Sequence, residues 1–149
     1  MNRIDLPPVW LVGFIILAWL QARHLSFGLS LDGGLTDLLT GFLIGGGVLL
    51  MILAVVEMRR YRTTVMPHET PSFMVQTGIF SRTRNPIYLG DVLLLTGVIL
   101  KMDAVLSLVL VPVFVWLLEK RFIVPEEDRL RRKFRSDFAR YERKTRRWV

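Results

Sequence analysis

The stretch that most constrains this chain runs from Leu38 to Val56, where no residue is charged. At about 1.5 Å per residue, a helix over this stretch and its flanks is long enough to cross a hydrocarbon layer of roughly 30 Å. The chain has 149 residues, of which 52% are hydrophobic, and this is not the composition of a soluble globule. The sequence therefore predicts an integral membrane protein with a span at about 36–58.

Three further apolar runs extend this prediction to the whole chain. The predicted fold is all-α, a single domain over residues 1–149 with four transmembrane helices. The three additional spans cover about 7–25, 86–100 and 104–124.

Two features of the spans predict how they pack. Only a tight turn from Lys101 to Asp103 separates the third span from the fourth, so these two are expected to form an antiparallel hairpin. Pro112 lies near the middle of the fourth span and is expected to kink it. Four glycines of the second span are interpreted as a helix-packing face, with a pore or ligand groove as the alternative; they are Gly41, Gly45, Gly46 and Gly47.

Positive charge is concentrated in two segments. Residues 59–85 carry a net charge of +4 and residues 125–149 carry +5, which together exceed the +7 of the whole chain. Basic loops of a hydrophobic protein stay in the cytoplasm and attract anionic lipid headgroups. We therefore expect both segments and both chain termini to be cytoplasmic, with membrane lipids rather than nucleic acid as the partner of this charge.

The last segment has the pattern of an amphipathic helix over about 125–145. Leu130, Phe134, Phe138 and Tyr141 form one apolar stripe on an otherwise cationic helix. Pro125 suits the first turn of a helix, so a new helix is expected to begin there. Such a helix lies on the lipid headgroups or folds under the bundle.

The junction between the first basic segment and the third span is the candidate binding element. Asn85 is expected to cap the helix with its side chain, and Pro86 suits the first helical position. Arg82 and Arg84 precede this helix start, so free N–H groups and positive charge face the same space. The junction therefore suits an anionic or polar ligand.

The predicted topology brings this junction to the same membrane face as Glu126 and Glu127. Cations, carboxylates and the Tyr88 hydroxyl together suit a ligand that carries both signs of charge. The alternatives are that the glutamates only compensate a helix dipole, that the arginines only set topology and that Tyr88 is an interfacial anchor. Asp91, one turn inside the helix, is expected either to pair with an arginine of the junction or to act directly.

No metal site is predicted. The chain has no cysteine, which excludes thiolate ligands and cysteine nucleophiles. His24 and His68 are isolated from each other and are expected on opposite sides of the membrane.

Three motifs at this spacing resemble those of a known family. They are Thr64-Val65-x-Pro67, then Thr77-Gly78-x-Phe80-x-x-x-Arg84-Asn85-Pro86-x-Tyr88-Leu89-Gly90, then Pro125-Glu126-Glu127-x-x-Leu130-x-x-x-Phe134 with Tyr141 and Arg146-Arg147-Trp148. They closely resemble the small bacterial members of the isoprenylcysteine carboxyl methyltransferase family, which is similar in turn to the phospholipid N-methyltransferases. The resemblance implies an enzyme of the bacterial inner membrane that binds S-adenosylmethionine within residues 64–149.

The resemblance also implies roles for individual residues. Arg121, Glu127 and Arg146 are the expected catalytic residues, with the two arginines holding an anionic headgroup or the cofactor carboxylate. Where the family usually has Phe-Gly and then Tyr, this chain has Phe134-Arg135 and Phe138. The expected cofactor-binding residues are Gly78, Ile79, Arg84, Asn85, Pro86, Tyr88, Leu89, Gly90, Glu126 and Glu127.

The implied substrate is lipophilic and enters from the bilayer, and either an isoprenylcysteine-like carboxylate or a lipid headgroup fits. The atom methylated and the oligomeric state stay open. A second hypothesis is a four-helix proton-coupled transporter of small molecules that uses Asp91 or Glu57. A third is a membrane scaffold, in which the Arg84 and Glu126 ends stay apart and no pocket forms between them.

Overall fold

A computed structural model describes residues 5–25, 28–63 and 73–149, and every regular element in these ranges is helical. The motif residues Thr64, Val65 and Pro67, together with His68, lie outside the described residues. Short 3-10 turns cover Gly78–Ser81 and Val105–Val109, and a π-helical turn covers Glu119–Ile123. The α-helices are α1 (Pro7–His24), α2 (Gly34–Arg60), α3 (Pro86–Lys101), α4 (Leu110–Leu118) and α5 (Val124–Lys144).

Helix α3 packs most closely against α2, and glycine makes this packing possible. A Cβ atom added at Gly90 would lie 2.7 Å from the backbone oxygen of Gly47, and one added at Gly97 would lie 2.7 Å from Ile44. The predicted packing face of α2 is therefore only partly right, because Gly47 makes this contact. A Cβ at Gly41, Gly45 or Gly46 would meet no atom within 4 Å.

The main core lies between α1, α3 and α4. Phe14 and Phe114 meet with ring centroids 4.9 Å apart, and Leu95, Ile99 and Phe122 are almost completely buried beside them. A turn at Met102 and Asp103 leads from α3 into the segment that packs against it, as the predicted hairpin requires.

The predicted fourth span is wrong in detail. A helix from Ala104 to Val124 kinked at Pro112 was expected, but residues 105–109 form a 3-10 turn and the α-helix begins at Leu110. Pro112 is therefore the third residue of α4. The helical angles of Val109 and Leu110 carry the 3-10 turn directly into α4, so Pro112 lies where the helix changes from 3-10 to α geometry. It lacks the N–H that a residue inside a helix donates.

Helix α5 does not begin afresh at Pro125, contrary to expectation. Backbone angles stay helical through Ile123 and Val124, so α4 continues through the π-helical turn into α5. Pro125 cannot donate to the carbonyl four residues earlier, and a π turn is one way for a helix to accommodate such a loss. The glutamates that follow therefore do not sit at a free helix N-terminus.

Helix α5 is also bent rather than one straight amphipathic rod. Arg135 adopts φ 41° and ψ −109°, which is not helical. Arg131 and Glu142 form an ion pair of 3.2 Å, although eleven residues of straight helix would separate them by about 16 Å along the axis. The predicted stripe still becomes buried, because Phe138 and Tyr141 pack with Met74 against the partly buried Leu130 and Phe134.

The outer surface of the bundle is apolar. On α2, large hydrophobic side chains from Leu35 to Val56 are exposed, over a length of about 32 Å at about 1.5 Å per residue. Among the described residues, α2 is the one helix long and apolar enough to cross a membrane by its length and composition. The helices thus lie close to the predicted positions, while the four-span topology remains a prediction.

Candidate functional site

The loop before α3 is shaped by a glycine. Gly78 opens the 3-10 turn with φ 57°, and a Cβ atom there would lie 2.9 Å from the Glu57 carboxyl carbon. Thr77 donates its hydroxyl hydrogen to Glu57. Gly78 therefore allows the loop to cross the end of α2, and neither Gly78 nor Ile79 lines the cavity described below.

Asn85 does not cap α3, contrary to expectation. It occupies the capping position, but its side chain makes no capping bond. Its Nδ2 instead donates to the Arg147 carbonyl at 3.0 Å, and the Thr83 hydroxyl donates to the same carbonyl at 3.2 Å. The side chain that was expected to cap the helix thus ties the end of the chain to the junction.

Arg84 caps the C-terminal end of α5. Its Nη1 donates to the carbonyls of Glu142 and Thr145, each at 3.1 Å, and its backbone N–H donates to the Arg146 carbonyl at 3.0 Å. Carbonyls at a helix C-terminus lack partners and carry partial negative charge, so a guanidinium is well placed there.

Glu127 lies between two arginines. Only 4% of Glu127 is exposed; its Oε1 accepts from Arg84 at 2.9 Å and its Oε2 accepts from Arg147 at 2.7 Å. Arg147 also pairs with Glu119, and its hydrogen bonds to Glu127 raise the pKa of the guanidinium. We refer to Arg84, Glu127 and Arg147 as the clamp.

Glu126 points to a different environment. Its Oε2 accepts the Tyr88 hydroxyl hydrogen at 2.9 Å, and the Tyr88 ring lies 6.4 Å from that of Phe122. The structure therefore brings both predicted segments together, with Tyr88 against Glu126 and Arg84 against Glu127.

A cavity of about 280 Å³ opens between these elements. Its lining is mostly apolar, and its polar part comes from five residues near the start of α3 and α5. The full lining is Leu6, Pro7, Pro8, Met51, Met58, Phe80, Arg84, Asn85, Pro86, Ile87, Tyr88, Asp91 and Glu126. The scaffold hypothesis expected no such cavity and separate Arg84 and Glu126 ends.

Two buried polar atoms of the lining have no hydrogen-bond partner among the described residues. They are Nε of Arg84 and Oδ2 of Asp91. The expected pairing of Asp91 with an arginine of the junction is therefore not formed. Buried polar groups are nearly always paired, so one unpaired donor and one unpaired carboxylate oxygen in the same cavity suit a ligand with both signs of charge.

Several predicted site residues lie outside the lining. Leu89 does not reach the cavity and Gly90 packs on α2. Arg121 is exposed and pairs with Asp5 at 2.7 Å, and Arg146 is exposed at the chain end. Glu127, expected to be both catalytic and cofactor-binding, is not part of the lining either. The roles expected of Glu127 and of the two arginines stay predictions.

Sequence reasoning missed most of the apolar part of the lining, of which the predicted set contained Pro86. Met51 and Met58 are seven residues apart on α2, a spacing that places them on one helix face and that could have been noticed. Leu6, Pro7 and Pro8 carry no comparable signal, because only the packing of α1 brings them to the cavity. Arg147 was noted as part of a motif but was given no role. Tyr141, predicted as part of the apolar stripe, donates its hydroxyl hydrogen to the Phe80 carbonyl at 2.6 Å, and burial raises its pKa.

A scan against protein-family models matches the phospholipid methyltransferase model over residues 35–137, more than two thirds of the chain. This chain belongs to the phospholipid methyltransferase family. The predicted relationship to these enzymes is thereby confirmed, and the chain is assigned to a family of methyltransferases. Searches of curated proteins and of solved structures found no match.

The family match covers most of the cavity. It includes Met51, Met58, the start of α3 and the glutamate pair, whereas the cavity residues of α1 and the clamp residue Arg147 lie outside it. Members of the phospholipid methyltransferase family generally use S-adenosylmethionine. The family match therefore assigns the chemistry in general terms, and the residues of the cavity are the basis for a more specific proposal.

Proposed function

We propose that this protein transfers a methyl group from S-adenosylmethionine to a lipophilic acceptor at the cytoplasmic face of a membrane. The observation that carries the proposal is the cavity at the start of α3, which combines an apolar lining with polar groups of both charge signs. The family match supplies the reaction class.

The residues present fit the cofactor. S-adenosylmethionine carries an α-carboxylate, an α-ammonium and an adenine ring. The unpaired Nε of Arg84 suits the carboxylate, and the carboxylate of Glu126 suits the ammonium. The side chains of Met51, Met58 and Phe80 offer apolar surface for the adenine.

When bound, S-adenosylmethionine would supply a methyl group attached to a positively charged sulfur, with an acceptor lone pair bonding to the methyl carbon and the C–S electrons remaining on sulfur. The chain contributes positioning and exclusion of water, and no nucleophilic side chain is required of it. Tyr88 contributes by holding the Glu126 carboxylate in place at 2.9 Å.

Exposed apolar side chains along α1, α2 and α4 support a membrane location, because soluble monomers rarely expose apolar surface of this extent. The cavity lies at the end of the bundle formed by the C-terminus of α2 and the N-terminus of α3. Arg59, Arg60 and Arg62 are at that end, and under the positive-inside rule they support a cytoplasmic location for it. Residues of α1 and α2 line the cavity, and the exposed apolar surface of both helices supports a sideways approach of a lipid acceptor.

The first experiment measures cofactor binding. Titration calorimetry of purified protein with S-adenosylhomocysteine is expected to detect binding, and Glu126→Gln is expected to weaken it at least tenfold, in line with the about 1.5–3 kcal/mol of a charged hydrogen bond. Asp37→Asn is the matched control, because Asp37 is exposed and pairs with Lys101 at the opposite end of the bundle. Equal affinity of Glu126→Gln and wild type would show that Glu126 does not bind the cofactor. Absence of binding by wild type would contradict the proposed function.

The second experiment tests topology. Because the chain contains no cysteine, a single cysteine at Leu31 or at Arg62 can be labelled selectively. In inside-out vesicles an impermeant maleimide is expected to label Arg62→Cys and not Leu31→Cys. The reverse pattern would contradict the cytoplasmic placement of the cavity.

A further inference from the structure

Asp91 is the least satisfied charged group of the cavity. It lies three residues after Tyr88, on the same face of α3, and only 3% of it is exposed. It lines the cavity, and its Oδ2 has no hydrogen-bond partner within the described ranges.

The other carboxylates nearby show how unusual this is. Glu127 is equally buried but accepts hydrogen bonds from two arginines, and Glu126 accepts the Tyr88 hydroxyl hydrogen. A buried carboxylate with an unpaired oxygen is costly, whereas an apolar residue at this position of α3 would carry no such cost. Asp91 therefore fits a group that is partnered only when the cavity is occupied.

The charge of the cavity favours one class of acceptor. Asp91 and Glu126 both line it, and Arg84, the cation of the lining, is assigned above to the cofactor carboxylate. An acceptor carboxylate would therefore be repelled by both acids. An ammonium group would be attracted to them. A protonated amine must also lose a proton before its nitrogen can be methylated, and a carboxylate acceptor needs no such step.

We propose that Asp91 is a catalytic residue that binds the ammonium of an amine-bearing acceptor and takes its proton. The inference rests on the proposed methyltransferase function. Asp91 accepts one proton from the acceptor ammonium, and the nitrogen lone pair then forms a bond to the methyl carbon. The methyl–sulfur bond breaks with its electrons left on sulfur. The products are a methylammonium, a neutral thioether and a protonated Asp91, which returns its proton to water.

The test compares wild type with Asp91→Asn, which keeps the size of the side chain and removes the charge. Each protein is placed in vesicles of phosphatidylethanolamine and phosphatidylglycerol with methyl-labelled S-adenosylmethionine. Wild type is expected to give a base-stable methylated amine. Asp91→Asn is expected to lower kcat about 100-fold, as loss of a general base does. Its cofactor affinity is expected to stay within about twofold of wild type, whereas loss of a charged hydrogen bond would weaken binding about tenfold or more.

Thermal unfolding without ligand gives an independent measurement. Because one oxygen of the buried Asp91 carboxylate has no partner in the described ranges, Asp91→Asn is expected to raise Tm. Asp37→Asn, at an exposed ion pair, is expected to leave Tm and kcat unchanged. A residue with only a structural role would lower Tm on substitution. If the asparagine variant does not fold, Asp91→Ser takes its place.

Four results would overturn the proposal while leaving the methyltransferase function intact. These are an unchanged kcat in Asp91→Asn, a lowered Tm in that variant, a base-labile methyl ester as the wild-type product, and a loss of cofactor affinity in proportion to kcat. Wild type that neither binds the cofactor nor transfers label would instead remove the proposed function, and this inference with it.

Discussion

Glu126 and Glu127 are neighbours in the chain but lie in different environments. Glu127 is buried between two arginines and forms part of the clamp that holds the end of the chain to the start of α3. Glu126 lines the cavity and accepts the Tyr88 hydroxyl hydrogen. The difference teaches that one motif can supply both the support of a site and its binding surface, because successive helical residues point about 100° apart.

The largest expected effect comes from breaking the clamp. Glu127→Ala removes the 2.9 Å ion pair of the buried Arg84, whose ion pair with Glu142 is longer at 3.7 Å. The substitution is expected to lower the free energy of unfolding by about 3–5 kcal/mol. Thermal or denaturant unfolding in micelles measures this, with the exposed Asp37→Ala as the control. Unchanged stability together with lost cofactor binding would place Glu127 in the site after all.

The next effect separates packing from binding at the start of α3. Gly90→Ala puts a methyl group 2.7 Å from the Gly47 carbonyl oxygen, so the helices must move apart, at a cost of about 1–3 kcal/mol. Gly45→Ala meets nothing and is expected to be neutral or to gain up to about 1 kcal/mol from helix propensity. If both variants unfold alike, the close approach of α2 and α3 is not as described.

A stabilising substitution tests the bend in α5 at Arg135, which precedes the part of the chain that reaches the clamp. The bend at Arg135 returns the chain towards Arg84, but φ 41° strains a residue with a Cβ atom. Arg135→Gly is expected to gain about 1–2 kcal/mol with cofactor affinity unchanged. Arg132→Gly, in the regular part of α5, is expected to lose about 1 kcal/mol; a loss in both variants would argue against the bend.

The smallest expected effect lies on the cavity side of the comparison. Tyr88→Phe removes the hydroxyl that bonds Glu126 and is expected to cost about 0.5–1.5 kcal/mol of stability, well below the effect at the clamp. Cofactor affinity should fall because Glu126 loses its orientation, which calorimetry measures. A stability loss as large as that of Glu127→Ala would show that Glu126 also supports the fold.

Much of the helical framework follows from local pattern. Apolar runs and their flanks predicted helices close to α1, α2 and α3, because uninterrupted apolar runs of this length are typical of helices and too long for ordinary strands. The fourth run was placed less well, since Pro112 has different consequences in the first turn of a helix and in its middle. Where that helix begins depends on how the preceding 3-10 turn packs.

The polar half of the cavity lining overlaps the residues predicted for the site. Arg84, Asn85, Tyr88 and Glu126 line the cavity as residues of the predicted set. Side-chain direction was less predictable, and Asn85 reaches Arg147 instead of its own helix. Contacts that join residues 60 apart in the chain have no local signature.

The sequence by itself determined the helical class, the separation of charge between the two ends and the two segments that meet at one end. The reason is that hydrophobic length and charge are local properties of the chain. Only the tertiary structure decided which glycine packs, how α5 folds back at Arg135 and that Glu127 supports the fold while Glu126 lines the cavity. These outcomes depend on helix rotation and on partners distant in the chain, and both are set when the helices pack against each other.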